Sequence, residues 1–391
     1  MARILIVRGH LVNPWELGPW SELPEEFEVS YLLTESNQFA LPGPRLEPVR
    51  VRALRDVLPG GRLGDLGVAV LGDRYLGVEE AFATADIVHA EELSFWFAAE
   101  AARRRARARF RLVQTVWETL PFLESFRNRL ARRSRREVLE ATDMFIPATR
   151  RAAQALLLEG VPDARIRVCP PGIDLGRFAA TATSPAPSEH LILSPGRLVW
   201  EKGHQDVLRA LAALIRGIVP VPEAARRSLR LLIVGSGPEE RRLAAYAREL
   251  GLGSRVEFRS LRYNDMPAAF AQASGMVLAS LPWSGAAYHP FDVPRAFWEE
   301  QFGMVLAEAM AAGLDIIATT SGAIPEVLAG TQAQLVAPGD WIEIARRLAA
   351  GPLSRAPGER VGYPSALVER YSTKAAAARL ADIYRSLLST S

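Results

Sequence analysis

Residues 299–313, Glu299-Glu300-Gln301-Phe302-Gly303-Met304-Val305-Leu306-Ala307-Glu308-Ala309-Met310-Ala311-Ala312-Gly313, lead a turn into a helix. Gly303 lets the backbone turn, the residues after it are good helix formers, and Gly313 stands where a left-handed residue ends a helix. The N–H groups of Met304 and Val305 then lack helical partners and make the helix start an anion site. Glu300 lies before the turn and Glu308 about one turn into the helix. Taken alone, Glu308 fits a solvated helix face. Its neighbours Leu306, Ala309 and Met310 weaken that reading, because an unpaired carboxylate among apolar side chains is expensive.

A strand is predicted immediately after this helix, at 315–319, and four more before it, at 191–194, 230–234, 256–258 and 276–279, with helices between. The first of them runs into Ser194-Pro195-Gly196-Arg197-Leu198-Val199-Trp200-Glu201-Lys202-Gly203. Arg197 and Lys202 are thereby set at the carboxyl end of a strand, where open α/β sheets bind ligands. Only Lys202 and Lys374 are lysines in a chain with 47 basic residues, and a lysine's compact charge suits phosphate oxygens. The bland alternative is a pair of surface charges on a loop. A second turn, Val234-Gly235-Ser236-Gly237-Pro238-Glu239, has glycines for a tight strand-to-helix connection and Pro238 pre-set for a first helical position.

The same alternation fills the first half of the chain. Strands are predicted at 3–7, 27–33, 67–71, 86–89, 111–116, 143–146 and 166–168, and helices at 93–109, 125–140 and 150–158. The small residues and prolines of 179–187 cannot hold a packed element. The expected organisation is a Rossmann-like domain over 1–178, a linker over 179–190, a second Rossmann-like domain over 191–370, and a closing helix over 371–391 that folds back across the linker. The fold class is therefore α/β, with two parallel-sheet domains facing each other across a cleft.

Composition excludes several classes. The 391 residues are 49% hydrophobic and 23% charged, a globular profile. No apolar run approaches the ~20 residues that cross a bilayer, and no secretory signal pattern opens the chain. The single cysteine, Cys169, excludes an intramolecular disulfide framework and a cysteine-based zinc site. A cytoplasmic protein is expected. His10, His89, His190, His204 and His289 are scattered without ligand spacing and no Asp-x-Asp pair occurs, so no essential metal is expected. The net charge is +3, and because almost every basic residue is arginine the pI of 9.2 is weak evidence for nucleic acid. Charge is nonetheless polarised. Between Arg103 and Arg136 twelve arginines face two acids, Glu118 and Glu124, a local charge of +10. That face suits either the anionic inner surface of a membrane, at ~1 kcal/mol per basic residue, or plain solvation with long side chains lying over apolar neighbours.

The order and spacing of several stretches resemble the retaining GT-B glycosyltransferases of the large family four. Those stretches are Glu300-x7-Glu308, Gly-Arg-Leu-x-x-Glu-Lys-Gly at 196–203, Pro170-Pro171-Gly172-Ile173-Asp174 with Phe178, and Ser321-Gly322-Ala323-Ile324-Pro325-Glu326. The likeness spans most of 140–390. It implies a hexosyl transfer from a nucleoside-diphosphate sugar, a co-substrate in place of any cofactor, to a hydroxyl acceptor. By the same resemblance Arg197 and Lys202 bind the diphosphate, Glu308 the ribose and Glu300 the transferred sugar. Gly196 and the backbone from Phe302 through Gly303 and Met304 to Val305 hold sugar and phosphate. The first domain would bind the acceptor, for which Asn13, Trp15, Glu16 and Trp20 of the first loop, and Trp117 and Glu118, are candidates; Trp15 and Trp20 equally fit a packing role. Two positions depart from the pattern: Trp117-Glu118 stands where many relatives place a histidine, and Asp315 where the family commonly has proline. A catalytically inactive sugar-nucleotide-binding subunit, a sugar-nucleotide epimerase or a phosphorylase of the same fold are the alternatives. The stretch 283–298, with Tyr288, His289 and Phe291, reads as a lid or specificity loop, or as a surface ornament.

Overall fold

The computed structural model describes residues 1–39, 46–59, 61–105, 107–123, 129–179, 187–282 and 297–389. Most of the expected linker and nearly all of the 283–298 loop lie outside them. The chain forms two units, Met1–Ile173 with Tyr371–Ser391, and Asp174–Arg370. The first crossing thus comes a little ahead of the expected linker, because Phe178 packs edge-on against Phe270 of the second unit, 5.1 Å between ring centres.

The first unit is built on β1 (Ala2–Ile6), β2 (Phe27–Thr34), β3 (Glu47–Ala53), β4 (Tyr75–Leu76), β5 (Ile87–Glu91), β6 (Arg111–Val116) and β7 (Met144–Pro147). The sheet order is β4-β3-β2-β1-β5-β6-β7, parallel except for β4 against β3. Both faces of the central strands are apolar, as a sheet covered on both sides requires. Leu5, Val88, Ala90 and Leu112 meet Phe97, Ala98 and Ala101 of the helix Trp96–Arg105 on one face. Ile4, Ile6, Ile87 and Val113 meet Leu380, Ile383, Tyr384 and Leu387 of the helix Thr373–Ser389 on the other. At roughly 1.5–3 kcal/mol for each large side chain fully buried, this closing helix is part of the first unit's core. It is also tied by a buried polar cluster. Tyr384 Oη lies 2.5 Å from His89 Nδ1 and accepts from Trp20 Nε1 at 2.9 Å, while His89 Nε2 lies 2.7 Å from Thr115 Oγ1. Trp20 is therefore a core residue.

The second unit has β8 (Leu191–Pro195), β9 (Arg230–Val234), β10 (Val256–Arg259), β11 (Gly275–Leu278), β12 (Asp315–Thr319) and β13 (Gln334–Val336), all parallel. Their order, β10-β9-β8-β11-β12-β13, is that of a dinucleotide-binding sheet. The order in which successive strands are added reverses between β8 and β11, and in the first unit between β1 and β5. Loops leaving those strands flank the crevices where such sheets take ligands.

Three expectations are corrected. Residues 67–71 are not a strand but the end of the helix Arg62–Leu71; the Val-Ala-Val-Leu run imitates a buried strand, while Leu63, Leu66 and Val70 keep helical spacing and are exposed. The stretch 166–168 contributes only a bridge between Ile166 and Phe145. The helix predicted at 93–109 is shorter, Trp96–Arg105. Six of the twelve arginines of the 103–136 stretch are ion-paired among the described residues. Arg103 and Arg133 pair with Glu137, Arg104 with Glu100 and Glu79, Arg105 and Arg111 with Asp143, and Arg135 with Glu159.

Candidate functional site

At the end of β8 the chain is stitched to its neighbours on both sides. Gly196 N–H donates to Val234 O at 2.9 Å, Leu198 N–H to Ser236 O at 2.9 Å, and Glu239 N–H to Leu198 O at 3.0 Å, which joins the two glycine-containing turns. On the other side Leu281 N–H donates to Glu201 O at 2.8 Å. Gly203 passes so close that a Cβ there would lie 1.9 Å from Ala279 O, and its φ is +69°. His204 braces the turn from beneath: Nδ1 lies 2.9 Å from Ser194 Oγ and Nε2 lies 3.2 Å from Arg197 O. Burial, with Lys202 nearby, pushes this imidazole down to about 4. It is neutral at pH 7, and Nε2–H donates to the carbonyl while Nδ1 accepts from the serine. Arg197 projects into solvent and, among the described residues, has no ion pair.

Lys202 and Glu300 are brought together. The ammonium donates to both carboxylate oxygens, at 2.9 and 2.7 Å, and lies 4.9 Å from the ring centre of Trp298. Ser280 Oγ, just beyond β11, donates to Glu300 Oε2 at 2.6 Å. The backbone of Glu300 is fixed in turn, its N–H donating to Ser321 Oγ at 3.3 Å and its carbonyl accepting from Ala323 N–H at 2.8 Å. The chain then buries Phe302, turns at Gly303 with φ +77°, and enters the helix Met304–Ala311. Met304 and Val305 are the first two helical residues, half-buried, with N–H groups that the helix itself leaves without acceptors.

Glu308 is 2% exposed, which removes the solvated-face reading. Tyr263 Oη donates to its Oε1 at 2.8 Å. Burial pushes the carboxyl up to about 7, against the pull of the Tyr263 hydrogen bond and the Arg177 charge. Asp315, the departure from the family's proline, is a carboxylate caught by Arg355.

In the first unit the residues at the ends of β1, β5 and β6 form a second cluster. Arg8 Nε pairs with Glu91 Oε2 at 3.0 Å. Trp117 Nε1 donates to Glu91 Oε1 at 2.5 Å, and its backbone N–H to Glu92 Oε1 at 2.8 Å. Asn13 Nδ2 donates to Glu16 Oε1 at 3.2 Å, and Asn13 Oδ1 accepts from Trp15 N–H at 3.1 Å. Glu118 Oε1 accepts from the N–H groups of Thr119 and Leu120, both at 2.9 Å, so it shapes its own turn. Burial and the neighbouring Glu91 push Glu16 up to about 8; burial, Glu118 and Glu91 do the same to Glu92. Arg8, Glu91, Glu92, Tyr263, Ser280 and Trp298 were not legible as site residues, since each acts through a partner far away in sequence; Ser321 stood in a quoted stretch, without a role.

Two family descriptions match this chain, Glycosyl transferases group 1 over residues 189–350 and Glycosyltransferase Family 4 over residues 23–177. The GDP-mannose-dependent alpha-(1-6)-phosphatidylinositol monomannoside mannosyltransferase of Mycolicibacterium smegmatis is 30% identical over 288 residues, covering 65% of this chain and 68% of that protein. The chain belongs to the group 1, family 4 glycosyltransferases. The D-inositol 3-phosphate glycosyltransferase of Corynebacterium jeikeium is 29% identical, covering 64% of this chain; the chain spans 59% of that relative's length. Solved GT-B structures share the fold across the whole chain. HepE of Anabaena, in complex with UDP, has a TM-score of 0.67 at 16% identity, covering 99% of this chain and 100% of that one. Sucrose-phosphate synthase of Thermosynechococcus elongatus has a TM-score of 0.68 at 19% identity, covering 100% of both. Within this chain the Glu-x7-Glu stretch and the Gly-Arg-Leu-x-x-Glu-Lys-Gly stretch meet at the Lys202–Glu300 pair.

Proposed function

We propose that the chain is a cytoplasmic, retaining hexosyltransferase that takes a nucleoside-diphosphate sugar as donor and a hydroxyl compound as acceptor. The observation that carries this reading is the contact of Lys202, from the loop after β8, with Glu300, which Ser280 beyond β11 also holds; the exposed Arg197, the helix start at Gly303 and the buried Glu308 are read as parts of the same donor site. It is supported by family membership and by the UDP named in the HepE structure.

Lys202 has three N–H donors, and Glu300 takes two. The third can reach a diphosphate oxygen, and the exposed Arg197, which has no ion pair among the described residues, offers its guanidinium to the same diphosphate. With the N–H groups of Met304 and Val305 they stabilise the negative charge that grows on the departing diphosphate. Glu300, held by Lys202 and Ser280, orients the hexose. The acceptor hydroxyl attacks from the face the leaving group vacates; its oxygen bonds to the anomeric carbon as the carbon–phosphate-oxygen bond breaks, and its proton passes to a diphosphate oxygen. Positioning supplies the rest of the rate. The experiment is to follow release of UDP or GDP from sugar nucleotides across an acceptor panel and to assign the product anomer by NMR. Acceptor-dependent release with a retained anomer is expected. Nucleotide binding without release against every acceptor would instead assign an inactive binding subunit, and an inverted product would overturn the retaining mechanism.

A further inference from the structure

Glu308 sits on a helix whose neighbouring residues Leu306, Ala307, Ala309 and Met310 are all buried apolar side chains. A carboxylate in such surroundings tends to hold its proton unless a donor or cation is directed at it. The donor is Tyr263, from a turn that follows β10 and lies 45 residues away in sequence. Its ring is itself clamped. The Arg177 guanidinium lies 4.9 Å from the ring centre and donates to Tyr263 O at 3.2 Å and to Asn264 Oδ1 at 3.1 Å, and Phe178 meets the ring at 6.3 Å between centres.

We propose that Tyr263 is the positioning residue for recognition of the donor's ribose: its hydroxyl engages Glu308 Oε1, keeps that carboxylate an acceptor, and leaves Oε2 for the ribose hydroxyls. This rests on the reading of Glu308 as the ribose contact. A protonated carboxyl loses acceptor capacity on one oxygen, so ribose recognition depends on how readily Glu308 ionises. Its carboxyl stands at about 7, where burial has raised it and the Tyr263 hydrogen bond, followed by the Arg177 charge, limits the rise. Other charged groups on the elements packed against this helix are directed elsewhere. Asp315 on β12 pairs with Arg355, Asp174 acts on Tyr263, and Glu369 on the helix Ser365–Glu369 is exposed.

The test measures the affinity of UDP and of GDP by calorimetry from pH 5.5 to 8.5, in the intact chain, in Tyr263→Phe and in Glu308→Gln. Phenylalanine keeps the ring against Arg177 and Phe178 and removes only the hydroxyl. Titration of the nucleotide's own phosphate is common to the three proteins and cancels between them. Wild-type affinity should fall as pH drops through about 7. In Tyr263→Phe that midpoint should move up by about one pH unit, with affinity about fivefold weaker at pH 7 and recovering by pH 8.5. Glu308→Gln should lack the midpoint. A Tyr263→Phe profile that superimposes on wild type, or lies below it by a constant factor at every pH, would overturn the positioning role while leaving Glu308 in place. Glu308→Gln binding like wild type throughout would overturn the ribose contact itself, and the role of Tyr263 with it.

Discussion

A half-buried lysine that donates to both oxygens of one buried carboxylate cannot be removed without consequence for that carboxylate. Lys202→Ala leaves the buried Glu300 with Ser280 as its remaining side-chain donor among the described residues, and breaking one side of a fully buried pair costs about 3–5 kcal/mol, the upper bound here because Lys202 is half-buried. The double variant Lys202→Ala/Glu300→Gln should recover most of that stability while turnover stays lost. Urea unfolding of the two variants beside wild type separates the effects, and a single Lys202→Ala variant as stable as wild type would contradict the pair. Glu92 makes a pH-dependent prediction of the opposite kind. Its folded carboxyl stands at about 8, above the ordinary 4.5, so between those values the folded chain holds a proton that the unfolded chain releases. Stability from this group is therefore fullest below pH 4.5 and declines as pH rises toward 8. Glu92→Gln keeps an oxygen for Trp117 N–H and should gain a few kcal/mol at most over wild type at about pH 8.5 and almost nothing at about pH 5. Urea midpoints at the two pH values check it; an equal loss with pH in both proteins would locate the effect elsewhere.

At the scale of elements, two glycines with similar backbone angles should respond very differently to the same methyl group. Gly339→Ala, φ +83° with no atom within 4 Å of the added carbon, should cost only the left-handed backbone penalty of roughly 1–2 kcal/mol. Gly203→Ala adds a collision with Ala279 O. The turn must then move away from β11, and nucleotide affinity should fall along with the melting temperature. Calorimetry and thermal unfolding of both variants make the comparison, and equal melting temperatures would deny the close approach. Much of this was readable in advance. β8, β9, β11 and β12 are runs of Leu, Ile and Val or their like, buried on both faces, and the glycines at 196, 203, 303 and 313 punctuate them. β3 escaped because Glu-Pro-Val-Arg-Val-Arg-Ala carries a proline and alternating arginines near a sheet edge. β13 escaped because three residues are too few to show a period. The carboxylates and cations of the donor site were legible from their spacing. Their partners Tyr263 and Ser280 come from other loops, and only folding sets them beside the motif.

For the molecule as a whole, the first unit is discontinuous in sequence and the second is not. A fragment of residues 174–370 should fold alone, with a cooperative thermal transition and measurable nucleotide binding. A fragment of 1–173 should not, since it lacks Leu380, Ile383, Tyr384 and Leu387, and should regain a cooperative transition only when residues 371–391 are attached by a linker. Circular dichroism melts of the three fragments test this, and a cooperatively folded 1–173 would contradict it. The same discontinuity orders events on the ribosome. The sheet made first waits with Ile4, Ile6, Ile87 and Val113 uncovered while the whole of the other unit is translated, and the unit made second is the first able to finish. Nascent chains stalled before residue 371 should therefore be held by chaperones through their earliest strands and released once the closing helix clears the exit tunnel.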